Sequence, residues 1–132
     1  MIFVDTSFWF AWVVGSDGNH DEATSLFRSV DEPLVTSNLV LGETWTLLAG
    51  RIGQGAAAAF RSTAIRSRQL NVISVDEATD RDAWRWLERR DDRPYSYVDA
   101  TSFALMRRHR IKRALTFDDD FTVVGFTIVG RS

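Results

Sequence analysis

Ile2-Phe3-Val4-Asp5-Thr6-Ser7-Phe8-Trp9-Phe10-Ala11-Trp12-Val13-Val14 opens the chain behind a single methionine and decides how the rest is read. Ile2 to Asp5 reads as a buried strand, and Asp5 or Thr6 can cap the helix that follows. That helix, Phe8 to Val14, is apolar on every side, where a surface helix shows one stripe. One side packs on a sheet, and the other needs cover from more of this chain or from a partner.

Outward from this start, the chain alternates between the two periodicities. A turn cluster, Gly15-Ser16-Asp17-Gly18-Asn19, leads to a helix over 20–30, which Asp31-Glu32-Pro33 breaks. Leu34-Val35-Thr36 is a strand, and 38–50 a helix with Val40, Glu43, Thr44, Leu47 and Leu48 along one face. After Gly53-Gln54-Gly55 a second helix over 56–67 makes a helical hairpin, and 70–75 is a strand. Asp76 caps a helix over 77–90 with Trp84 and Leu87 turned to the core. Ser96 caps the next helix, on which Asp99, Ser102, Phe103 and Met106 share a face. Strands at 114–117 and 127–129 close the chain. Alternating strands and helices predict an α/β domain with a parallel sheet and helices on both sides. With no repeat or linker, 132 residues make one domain, 1–132.

Composition narrows the chemistry. Hydrophobic content of 45% and charged content of 26% are those of a soluble globular protein. The absence of cysteine excludes disulfides, thiolate catalysis and cysteine-ligated metals. Without a secretory leader or an apolar stretch long enough to span a bilayer, a cytoplasmic protein with no membrane association is expected. The net charge is −2, yet setting aside Asp5, Glu43, Asp99, Asp118 and Asp120 leaves +3 on the rest. Fifteen of the sixteen basic residues are arginine, the better residue for forked phosphate contacts. Most of them solvate the surface, Arg89-Arg90-Asp91-Asp92-Arg93 reads as a solvated helix end, and the five tryptophans read as core and interface anchors.

Four acids fall where an open parallel sheet gathers its ligands, beyond the carboxyl ends of the strands. Asp5 closes the first strand, Asp118 follows the late strand, and Glu43 and Asp99 sit on inward helix faces. Two carboxylates about 4 Å apart repel by roughly 4 kcal/mol at an effective dielectric near 20. Such a cup calls for a divalent cation, and the cation points to phosphate chemistry. Each acid also has an ordinary reading: a helix cap for Asp5, a solvated position for Glu43, a dipole partner for Asp99, a polar turn for Asp118 to Asp120. His20 and His109 lie far from the acidic motifs and read as surface residues. No dinucleotide or P-loop glycine motif is present.

Taken together, Val4-Asp5-Thr6-Ser7, the helical Glu43, Tyr97-Val98-Asp99-Ala100 and Thr116-Phe117-Asp118-Asp119-Asp120-Phe121 resemble the PIN-domain ribonucleases. In size and order they are most similar to the VapC toxins of bacterial toxin–antitoxin pairs. The resemblance covers essentially the whole chain. It implies a single three-layer α/β/α domain with strand order 3-2-1-4-5 and a Mg²⁺-dependent endoribonuclease, with Mn²⁺ able to substitute. It further implies that Asp5, Asp99, Asp118 and Asp120 hold the metal and that Glu43 positions or deprotonates the attacking water. Ser7 and Thr116 carry hydroxyls able to orient a carboxylate. The implied products are a 5′-phosphate and a 3′-hydroxyl, and the implied partners are RNA, an antitoxin and a second copy of the chain. Two other readings compete: a receiver-like phospho-acceptor module and a PIN-like domain that binds RNA without cutting it. A receiver needs paired acids at its first strand and a lysine at the end of a late one; here Lys112, the only lysine, precedes its strand.

Overall fold

A computed structural model describes residues 1–90 and 93–131. Asp91 and Asp92, read above as part of a solvated helix end, lie outside the described residues. The elements run β1 (Ile2–Val4), α1 (Thr6–Val13), α2 (His20–Ser29), β2 (Leu34–Ser37), α3 (Asn38–Arg51), α4 (Gln54–Arg66), β3 (Leu70–Ile73), α5 (Glu77–Arg89), α6 (Tyr97–Arg108), β4 (Arg113–Leu115), α7 (Asp120–Val123) and β5 (Thr127–Ile128). The five strands form one parallel sheet in the order β3-β2-β1-β4-β5, flanked by helices, as the resemblance implies.

β1 lies at the centre because nothing in it tolerates water. Ile2, Phe3 and Val4 are buried, and each such side chain contributes about 1.5–3 kcal/mol. Its register sets Val4 beside Leu115 of β4, so both chains leave the sheet together. Strands end where side chains intercept the ladder. β4 stops at Leu115 because the Phe117 and Asp118 N–H groups turn to the hydroxyls of Ser7 and Thr116. β3 stops at Ile73, two residues short of the expected end, and the Val75 N–H is taken by the Asn38 side chain at 2.8 Å. The helix starts follow the caps: Asp5 accepts from Ser7, Ser37 from Val40 and Asp76 from Thr79, and α6 opens with a Ser96–Asp99 capping box.

One open alternative is decided and one expectation is corrected. The apolar girdle of α1 is covered largely by the chain itself. Phe8, Trp9 and Ala11 are buried, and Phe10, Trp12 and Val13 are partly buried against the core. Phe27 of α2 stacks on Trp12 at 4.7 Å, and Phe60 of α4 meets Trp9 edge-on at 5.5 Å. Trp84 does not face the core: it is 48% exposed. The inward stripe of α5 is Thr79 and Ala83, and Ala83 packs with Ala100 and Ala104 of α6. Small side chains let these helices approach closely, and Trp84, one residue on and so about 100° further round α5, lies outside the buried stripe, against Tyr97 of α6. No described helix is long and apolar enough to cross a membrane.

Candidate metal-dependent nuclease site

The site begins with the two hydroxyls that stop β4. Ser7 Oγ and Thr116 Oγ1 both donate to Asp5 Oδ2, at 2.9 and 3.0 Å. Having given away their protons, they accept the Phe117 and Asp118 N–H groups at 2.9 and 3.0 Å. Asp5 thus stitches the end of β1 to the chain leaving β4. Only 5% of Asp5 is exposed. Burial pushes its carboxyl up from 3.8 to about 6, and nearby Asp99 adds to the rise, against the lowering by Ser7 and Thr116.

Asp99, Asp118 and Asp120 form the second layer. Each offers one carboxylate oxygen, and the three oxygens lie within 4.8 Å of one another. Hydrophobic packing places them. Phe121, next to Asp120, is fully buried and meets Phe103 of α6 edge-on at 4.9 Å; Phe103 follows Asp99 by one helical turn. The Asp120 N–H closes on Asp118 Oδ1 at 2.9 Å, fixing the turn into the short α7. Asp99 spends Oδ2 on the Ser96 N–H, so its role as a helix cap and its place in the cluster are compatible. Burial raises the Asp118 carboxyl above its ordinary value, with Asp120, Asp99 and Asp119 adding to the rise against the Asp120 N–H, which lowers it.

The structure therefore brings together Asp99, Asp118 and Asp120, with Asp5 linked to them through Thr116 and through its repulsion with Asp99. Glu43 is outside that group; it is half-buried on α3 and makes no hydrogen bond or ion pair with the described residues. One residue that sequence reading misplaced is Arg93. Far from being an idle part of a helix end, it pairs with Asp120 and supplies a positive charge to the trio. Nothing in its local sequence signals this, because the contact spans 27 positions. Arg131 similarly pairs with Asp119 at 2.9 Å. His20 is not a plain surface residue: its Nδ1 lies 2.8 Å from the Ala11 carbonyl and ties α2 to α1, while His109 is exposed.

The trio fits a hard divalent cation: all its donors are carboxylate oxygens, and the three lie within 4.8 Å of one another, close enough to converge on one ion.

The PIN domain family profile matches residues 2–127. This chain belongs to the PIN domain family. The 23S rRNA-specific endonuclease VapC20 of Mycobacterium tuberculosis, matched in two strains, is 50% identical to this PIN domain over 130 residues, 98% of each chain. The crystal structure of that VapC20, described as a sarcin–ricin loop cleaving toxin, superposes with a TM-score of 0.91 at 48% identity, covering 96% of this chain and 97% of the other. FitAcB from Neisseria gonorrhoeae shares the fold, with a TM-score of 0.71 at 14% identity over 97% and 96% of the two chains. Membership of the PIN family removes the receiver reading, whose late-strand lysine is also missing: Lys112 is exposed and precedes β4.

Proposed function

We propose that this PIN domain is the toxin of a VapC-type toxin–antitoxin pair, an endoribonuclease that hydrolyses 23S rRNA within its sarcin–ricin loop using Mg²⁺ or Mn²⁺. The observation that carries the reading is the carboxylate trio at the carboxyl end of the sheet, in a chain half identical throughout to a 23S rRNA endonuclease. Asp99, Asp118 and Asp120 hold the ion, with Asp5 as a further ligand or a support. When bound, the ion lowers the pKa of a water and neutralises charge at the phosphorus. Asp5 keeps the Ser7 and Thr116 hydroxyls aimed inward, which fixes the backbone on which Asp118 stands. Glu43, unpaired on α3, positions the attacking water or takes its proton, and the products are a 5′-phosphate and a 3′-hydroxyl. The complete trio favours cutting over silent RNA binding.

Incubating the protein with ribosomes or a sarcin–ricin hairpin tests this directly. Cleavage is expected with Mg²⁺ or Mn²⁺, loss of cleavage with excess EDTA, and recovery when metal is restored. Full activity in chelator would sink the metal mechanism.

Arg93 gives a second expectation. Its guanidinium competes with the ion for Asp120, so Arg93→Gln should tighten Mn²⁺ binding. An exposed ion pair is worth up to about 1 kcal/mol, so the gain is at most about fivefold by calorimetry. Unchanged or weaker Mn²⁺ binding would show that Arg93 does not compete.

The same reading makes the chain cytoplasmic and a homodimer that binds an antitoxin. Covered as it is by Phe27 and Phe60, α1 alone offers a partner less surface than its sequence suggests. The antitoxin site instead spans α1, α2 and α4 around Trp12, Phe27 and Phe60, where these helices and Leu70 leave an apolar cleft. Protection of 6–13 and 54–66 from hydrogen exchange on adding the partner is the expected result; protection confined to 84–90 would refute it.

A further inference from the structure

We propose that a basic cleft at the C-terminal end of α6, lined by Arg107, Arg110 and Lys112, holds the phosphate backbone of the substrate RNA away from the cutting site. The inference rests on the ribonuclease reading and adds to it a second contact with the substrate.

The chain leaves α6 through Arg107-Arg108-His109-Arg110-Ile111-Lys112-Arg113, in which five of seven residues are arginine or lysine. Acids meet two of these charges: Arg108 pairs with Asp82 at 2.7 Å, and Arg113 pairs with Glu32. Arg107 donates to the Val124 carbonyl at 3.0 Å and lies over the Phe126 ring, which fixes its guanidinium. Arg110 and Lys112 are exposed, and their side chains make no hydrogen bond or ion pair with the described residues. Between these three cations and the turn at 124–126 lies a cleft of about 390 Å³ with no acid in its lining. A helix C-terminus attracts cations for its own sake, and Arg107 and Arg108 in the last turn meet that need. Arg110 and Lys112 lie beyond the helix. Arg110 stands at φ 56, the left-handed position that glycine fills best, while the Ile111 N–H returns to the Met106 carbonyl at 2.8 Å. An arginine kept in that conformation with a free side chain points to function, since folding alone favours glycine there.

The position of the cleft favours RNA as its occupant. Asp99, Phe103 and Arg107 recur every fourth residue along one side of α6. All three meet the segment 118–126. Asp99 joins the carboxylates of Asp118 and Asp120, Phe103 the rings of Phe121 and Phe126, and Arg107 the Val124 carbonyl. Trio and cleft are therefore the two ends of one seam, eight residues or about 12 Å apart along the helix axis. A few nucleotides cover that distance. Without its ion the trio repels phosphate, so the strand needs anchorage elsewhere, and a cleft lined by cations and no acid supplies it. Arginine forks onto phosphate oxygens through paired N–H groups, and such contacts position a nucleic acid whatever its sequence.

The test measures binding of a fluorescein-labelled RNA that carries the sarcin–ricin loop and its flanking stem. The full chain is used in an Asp118→Asn background with Mg²⁺, so that binding is read without cleavage. Arg110→Gln combined with Lys112→Gln should weaken binding about 5- to 30-fold near physiological salt, the loss expected from one or two phosphate contacts. The slope of log Kd against log salt should become shallower by about 1–2. Arg110→Lys combined with Lys112→Arg, which keeps both charges, should recover most of the affinity. Arg110→Gly separates charge from fold: it should melt higher, because glycine suits the left-handed turn, and still bind RNA more weakly. If the double glutamine variant keeps its parent's affinity and salt slope while the unmutated chain cleaves RNA, the cleft is refuted and the ribonuclease reading stands. If that variant keeps its RNA affinity but changes self-association by sedimentation, the cleft is a contact between copies and the proposal fails. Absence of cleavage by the unmutated chain in any metal would instead overturn the function on which the cleft rests.

Discussion

Asp118→Asn is expected to abolish RNA cleavage, about a thousandfold or more, while the protein stays folded. An ion at this site would supply several kcal/mol of charge stabilisation in the transition state, and Asp118 is one of the three acids that would hold it. The side chain accepts the Asp120 N–H, and an asparagine oxygen can still do so, which keeps α7 in place. Stability should rise slightly in the metal-free protein, because burial and three neighbouring acids all disfavour the charged form. Asp31→Asn, an exposed acid on the loop before β2, is the control and should leave cleavage unchanged. Cleavage by Asp118→Asn within twofold of the parent would remove the trio from the mechanism.

Asp5→Asn should produce the largest change in stability. The folded state holds this carboxyl near 6, against 3.8 when free. Keeping it ionised at pH 7 therefore costs the fold about 3 kcal/mol. The protonated form contributes stability that is fully present below pH 3.8 and is lost as pH rises through 6. In EDTA at pH 7.5 the variant should accordingly melt on the order of 10 °C above its parent. The gap should narrow steadily as pH falls from 7 to 4. Asparagine keeps an oxygen for the Ser7 and Thr116 hydroxyls, so the stitch between β1 and β4 survives. Cleavage should nonetheless be lost, because the neutral side chain no longer adds charge to the metal site. A melting temperature that falls at pH 7.5, or a gap that does not depend on pH, would show that Asp5 is not held at this cost.

Much of the active end was legible because its determinants are local. Ile2-Phe3-Val4 is too apolar for anything but a sheet centre, and Asp5 follows it directly. The Ser96 cap, three residues before Asp99, fixes where α6 starts. Thr116 and Ser7 were legible as hydroxyls near acids, and the structure makes both of them donors to one carboxylate oxygen. Trp84 was misread because size was taken for direction: the inward stripe of α5 is Thr79 and Ala83, and Ala83 packs on Ala100 and Ala104 of α6. Arg93 was misread because its acid lies in a different element.

By itself, then, the sequence determined the alternation of strands and helices, the helix caps and which acids end strands, since each depends on residues a few positions apart. Only the tertiary structure decided which carboxylates share a site. Phe121 must pack on Phe103 before Asp120 meets Asp99, and no local pattern encodes a contact between residues so far apart in the chain. The same holds for Glu43, whose register on α3 is legible but whose distance from the trio depends on how helices settle on the sheet. Burial and charge at a site are set by everything packed around it, and that is a property of the fold.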